Sequence, residues 1–191
     1  MAERFKNKYR VKSIRLEGYD YRNEGLYFAT ICTNECTKYF GECTDGKMHL
    51  NETGSVAEKY WSEIPDHFPN ISLDEFVVMP NHVHGIICID TKIIVESSSV
   101  ETLHATSLQT SNKNKYFQNI SPKAASLATI LRSYKSAVSK EVHKLNPEFN
   151  WQSRFHDHII RNVQSFRNIQ QYILNNPKNW KEDEYYSLWN S

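Results

Sequence analysis

Two histidines one residue apart, His82 and His84, lie inside the apolar run Phe76-Val77-Val78-Met79-Pro80-Asn81-His82-Val83-His84-Gly85-Ile86-Ile87-Cys88-Ile89. Val, Ile and Phe dominate this run, which is the composition of a buried strand. Successive side chains of an extended chain alternate between faces, so His82 and His84 share one face and Val83 points into the opposite layer. Two neutral imidazoles set this way suit a divalent ion and leave coordination positions free for substrate oxygens. An H-x-H by itself is more often a pair of satisfied histidines at a strand end, so the rest of the chain has to decide.

A second pair, Tyr172 and Asn176, is four residues apart in a segment where Phe166, Ile169 and Ile173 recur at helical spacing, with Ser165 as a cap and Asn175-Asn176-Pro177 as its close. Residues at i and i+4 share a helix face one turn apart, so a phenol and a carboxamide would approach one site together. Taken alone, such a tyrosine is more often core or interface material. His156 and His158 form another H-x-H, but the Asp157 between them is a poor residue to bury. Tyr134 falls in an apolar stripe that favours packing. Tyr185 and Tyr186 follow an acidic run, where a nucleophile is hard to hold rigidly.

The elements that must position these groups follow from periodicity. Leu26–Thr33 is β-branched and aromatic and reads as the first central strand. Phe40–Cys43 and Lys47–Leu50, joined through Thr44-Asp45-Gly46, read as a hairpin on an Asp-Gly turn. From Thr53 or Ser55, Val56, Tyr60 and Ile64 recur at helical spacing until Pro65 ends that helix. Leu73–Met79 and His82–Ile89 read as a β-hairpin with the histidines near its turn. Ser121-Pro122 reads as the start of a helix running to about Leu145, with Ala125, Leu127, Ile130, Leu131, Tyr134, Val138 and Val142 as its apolar stripe. Trp151 to Arg161 reads as a loop entering a strand. The tail residues Trp180, Tyr185, Tyr186 and Trp189 are expected to pack back on the body.

At 191 residues, 39% hydrophobic and 24% charged, the chain fits one domain over 1–191 and excludes disorder throughout. No apolar run approaches the roughly 20 residues that span a bilayer, and Met1–Lys6 lacks a signal-peptide apolar stretch, so a cytoplasmic protein is expected. Cys32, Cys36, Cys43 and Cys88 form no C-x-x-C and are expected as reduced, packed thiols. The net charge of +1 hides an uneven distribution. Residues 1–22 carry seven Lys/Arg against three Asp/Glu, and residues 113–162 carry nine against three, flanking an acidic stretch. Basic blocks of this kind fit a phosphate-binding face as well as they fit solvated lysine surfaces. The first block reads as a basic arm with an aromatic face, and residues from about 91 to 120, rich in Ser, Thr, Gln and Asn, read as a flexible polar loop.

Beyond these readings, the chain resembles the one-tyrosine HUH transposases, and most closely the REP-associated tyrosine transposase branch. The resemblance rests on Leu16–Tyr21, Tyr27–Thr33, Val77–Ile87, Ser133–Val138, Trp151–Asn162 and Tyr172–Pro177. It implies an α+β, ferredoxin-like domain, an antiparallel sheet with helices packed on one face. It implies His82 and His84 as ligands of Mg²⁺ or Mn²⁺, Tyr172 as the nucleophile forming a 5′-phosphotyrosine, and Asn176 at the position of a third polar metal ligand. The implied substrate is single-stranded or hairpin DNA, with Arg132, Lys135, Lys140, Arg154, His158 and Arg161 as candidate DNA contacts. Relatives act as monomers or homodimers. A hairpin-binding regulator without turnover and a phosphodiesterase that uses water in place of tyrosine are the competing readings.

Overall fold

The computed structural model describes residues 20, 21, 23–90 and 126–187. The expectations for most of the basic arm, for the polar loop, for Ser121-Pro122 and for Trp189 lie outside the described residues. The elements run β1 (Gly25–Cys32), β2 (Gly41–Thr44), β3 (Lys47–Leu50), α1 (Glu52–Ser62), α2 (Ile64–His67), β4 (Ile71–Met79), β5 (His82–Ile89), α3 (Leu127–Val142), β6 (His156–Ile160), α4 (Val163–Asn175) and α5 (Glu184–Ser187), with short 3₁₀ turns at Asn34–Cys36 and Trp180–Glu182.

Strands β4, β5, β1 and β6 form, in that spatial order, an antiparallel sheet. With α1 between β1 and β4, and α3 between β5 and β6, this is the β-α-β-β-α-β arrangement of ferredoxin-like domains. The expected fold class is therefore the observed one. The short β2–β3 hairpin pairs Gly41–Thr44 with Lys47–Leu50. Its turn residues Asp45 and Gly46 both have positive φ, 52° and 70°, which is why an Asp-Gly pair stands there.

Alternation along β5 divides the molecule into two layers. Val83, Ile87 and Ile89 join Tyr27, Ala29 and Ile31 of β1 under α1 and α3, whose Ala57, Trp61, Ile130, Tyr134 and Val138 close the main core. On the opposite face, Ile86 packs with Ile160 of β6 and Ile173 of α4, flanked by Leu26, Phe28, Val77, Phe166 and Ile169. So α1 and α3 cover one face of the sheet, and α4 crosses the other.

Two helix boundaries differ from expectation. The first helix ends at Ser62, short of Pro65, and Pro65 instead sits in the first turn of α2, where its fixed φ and missing N–H are tolerated. Helix α3 begins at Leu127 with Ser126 as its cap, whose hydroxyl accepts from Thr129 N, and it ends at Val142 before Leu145. Among the described residues, no helix is long and apolar enough to cross a membrane.

Candidate functional site

His82 and His84 are both buried, on the sheet face that α4 crosses, with ring centroids 4.3 Å apart. Each ring is held through its Nδ1. His82 Nδ1 lies 2.8 Å from Asn81 Oδ1. The Asn81 amide nitrogen donates to the carbonyls of Cys36 and Tyr185, so its oxygen must accept and His82 carries its proton on Nδ1. That leaves the Nε2 lone pair of His82 facing inward without a hydrogen-bond partner. His84 Nδ1 lies 2.8 Å from Thr30 Oγ1 on the neighbouring strand β1. Burial holds the pKa of His82 well below the usual imidazole range and that of His84 down at about 3. Both rings are therefore neutral, as metal ligation requires.

Helix α4 brings Tyr172 over these rings. Its start is fixed by Asn162, whose side chain accepts from Ser165 N at 2.8 Å, not by Ser165 acting as the cap. Its middle is pinned where β4 shifts register between Leu73 and Phe76, since Gln170 Nε2 donates to Asp74 Oδ1 at 2.7 Å. Ile173 is buried beneath it. Tyr172 Oη then reaches His84 Nε2 at 3.2 Å, with its ring edge-on to Phe28. Tyr172 as a residue remains 44% exposed. Burial, together with the charges of Asp183 and Glu184, raises its phenol to about 12.

One turn beyond Tyr172, Asn176 is buried, donates through Nδ2 to Asp183 Oδ2 at 3.0 Å, and keeps Oδ1 without a partner. The segment after α4 folds back as expected of the tail. Trp180 and Tyr185 lie against His82, ring centroids 5.9 and 4.6 Å away. This return also delivers a group the sequence reading missed, Asp183. One ring nitrogen from each of His82 and His84 and a carboxylate oxygen of Asp183 lie within 4.8 Å of one another. The set can hold a metal ion. An unsatisfied buried polar atom costs about 1–3 kcal/mol, and a cation ligated by His82 Nε2 and Asn176 Oδ1 would satisfy both orphans. The donor types, two nitrogens and oxygens, fit a borderline-hard divalent ion.

The other candidates are scattered. Arg132 and Lys140 lie on α3, in the layer covering the sheet face away from Tyr172. Lys135 donates to the carbonyl of Gln152, which turns its charge back onto the loop before β6, and partial burial lowers its pKa. His158 pairs with Phe28 across the β1–β6 ladder and is exposed on the same sheet face as His84. With Arg161 and Tyr21 it lines an open cleft of about 420 Å³ at the sheet edge, and Arg154 is exposed just before that strand. Tyr134 is buried and donates to the carbonyl of Ala57, a packing role. Tyr185 is buried beside the imidazoles and Tyr186 is half-buried.

The chain is 36% identical over 176 residues to an uncharacterised protein of Haemophilus influenzae (strain ATCC 51907 / DSM 11121 / KW20 / Rd), an alignment covering 92% of each. No protein-family model matches it. Its fold is similar to that of a REP-associated tyrosine transposase solved bound to a REP hairpin, with a TM-score of 0.54 and 16% identity over 89% of this chain and 74% of that one.

Proposed function

The chain belongs to one family with the uncharacterised Haemophilus influenzae protein, and from its site we propose a metal-dependent transposase or endonuclease that cleaves and rejoins hairpin-associated single-stranded DNA through a 5′-phosphotyrosine. The observation that carries this reading is the hydroxyl of Tyr172 at 3.2 Å from His84 Nε2, beside a second neutral imidazole with a free lone pair. A likeness in fold to a hairpin-bound tyrosine transposase points the same way.

His82, His84 and Asn176 would hold Mg²⁺ or Mn²⁺, which would supply a Lewis acid for the scissile phosphate. Tyr172 Oη forms a bond to phosphorus as the bond from phosphorus to the 3′-oxygen breaks. The phenol gives up its proton and the departing oxygen takes one up, leaving a free 3′-hydroxyl. The reverse attack rejoins strands, and because the phosphodiester energy is kept in the tyrosyl ester no nucleotide cofactor is consumed. In the metal-free protein His84 Nε2 holds the phenol, and that nitrogen passes to the ion on ligation, while Thr30 and Asn81 orient the imidazoles. His158, Arg154 and Arg161 grip DNA along the β6 edge, where His158, Arg161 and Tyr21 line the cleft. Arg132 and Lys140 extend the positive field on the other layer, and Lys135 joins them only by giving up Gln152. Tyr172 and His84 meet within one chain, which supports action in cis.

The test is incubation of the protein with hairpin DNAs labelled at either end, in Mn²⁺, Mg²⁺ or EDTA, on a denaturing protein gel. A 3′ label moving with the protein, a 5′-labelled strand released, and loss of both in EDTA are expected. Cleavage without protein-linked label makes the reaction hydrolytic, and binding without cleavage makes the chain a regulator. Asn81→Ala frees the His82 tautomer and is expected to weaken Mn²⁺ binding about 10–100-fold, as loss of a ligand-orienting hydrogen bond does. Calorimetric titration checks it, and an unchanged Kd contradicts it.

A further inference from the structure

Resting on the metal-site reading above, we infer that Asp183 is itself a ligand of the ion, the charged member of a His82, His84, Asn176, Asp183 set. Two imidazoles and a carboxamide are all neutral, and an ion of the Mg²⁺ class is normally bound through one or two carboxylates. Among the described residues, Asp183 is the acidic residue whose oxygen falls within 4.8 Å of both histidine nitrogens. Its two oxygens are held from opposite sides, Oδ2 by Asn176 Nδ2 at 3.0 Å and Oδ1 by Tyr185 N at 2.8 Å.

Two buried atoms point independently to a ligand here. His82 is 0% and Asn176 2% exposed, and His82 Nε2 and Asn176 Oδ1 have no partner. The Asn176 amide thus has divided work, with its nitrogen bracing the carboxylate and its oxygen left for the cation. Because Asp183 follows the Trp180–Glu182 turn and precedes α5, ligation ties the returning segment to β5. Metal and C-terminal packing then become one linked equilibrium, in which the ion stabilises the folded chain.

The experiment uses the full-length, metal-stripped protein and needs no DNA. Free Mn²⁺ is measured by electron paramagnetic resonance across titrations of wild type, Asp183→Asn and Asp183→Cys. Asp183→Asn keeps the size but removes the charge and one of the two acceptors, and a loss of at least about ten-fold in Mn²⁺ affinity is expected. A merely bracing residue would give the same loss, so Asp183→Cys is titrated with Cd²⁺, which thiolates favour. A thiolate-to-Cd²⁺ charge-transfer absorption above the wild-type background, abolished by adding His82→Ala, is expected only of a ligand. An Asp183→Asn variant that binds Mn²⁺ within two-fold of wild type overturns the inference, as does weakened Mn²⁺ binding without the Cd²⁺ signal. A wild type that binds no Mn²⁺ overturns this inference and the metal site together. A wild type that binds through Asp183 but forms no DNA adduct removes the proposed reaction and leaves the ligand assignment standing.

Discussion

Tyr172→Phe is expected to give a folded protein that binds hairpin DNA as the parent does and forms no covalent DNA product. The hydroxyl reaches His84 Nε2, on a residue that is 44% exposed. The ring keeps its contacts with Phe28 and His84 after the change. Removing the hydroxyl leaves the buried His84 Nε2 without its partner, which costs about 1–3 kcal/mol in the metal-free protein, while DNA affinity changes by no more than about two-fold. Cleavage should fall by at least about 10⁴-fold, because loss of a nucleophile removes the whole covalent route and leaves positioning alone. Single-turnover cleavage and filter binding measured on the same preparation check both halves. Residual cleavage within tenfold of the parent would move the nucleophile to water or to another tyrosine.

The second large effect falls on Gly85, which directly follows the paired histidines. A β-carbon there would enter the indole of Trp61, lie 2.8 Å from its Cε2, and approach Phe76 Cβ at 3.0 Å. Gly85 is opposite Ala29 on β1 and Phe76 on β4, in a strand paired on both sides, so the backbone cannot move aside cheaply. Gly85→Ala is expected to destabilise the protein by about 3 kcal/mol, at the upper end of overpacking costs, and to lower Tm by roughly 6–12 °C. Trp61→Leu, which empties the space the methyl needs, should recover at least about 1 kcal/mol of that loss in a double-mutant cycle. Urea denaturation of the four proteins measures it. Strict additivity would show that the cost does not come from the indole.

Residue pattern makes the site's two halves legible for definite reasons. The run around His82 is a strand because β-branched residues fill it. Alternation alone puts both imidazoles on one face, the face on which Thr30 and Phe28 of β1 meet His84. Tyr172 and Asn176 fall together because i and i+4 on an apolar-striped helix leave little freedom. The Asp-Gly hairpin is fixed by the need for two positive φ values.

What stays hidden is whatever depends on long-range return rather than local period. Asp183 sits between a 3₁₀ turn and a four-residue helix, with no periodicity to give its direction, and only the packing of Trp180 and Tyr185 against His82 brings it to the imidazoles. Asn81 shows in the sequence only as part of a motif. Its work, holding Cys36, Tyr185 and His82 at once, depends on segments distant in sequence. Pro65 reads as a stop because proline cannot sit inside a helix, yet the same ring geometry suits a first turn. Charge alone groups the cations of α3 with those near β6, whereas the sheet separates Arg132 and Lys140 from the Tyr172 face.

Covalent joining of Tyr172 to DNA at the paired histidines is read out by peptide mass spectrometry of the protein after incubation with hairpin DNA and Mn²⁺, following nuclease digestion to leave a phosphonucleotide remnant. The remnant is expected on the peptide carrying Tyr172, and is expected to be absent when His82 and His84 are replaced. A remnant on Tyr134, Tyr185 or Tyr186, or cleaved DNA with no remnant on any peptide, would contradict it.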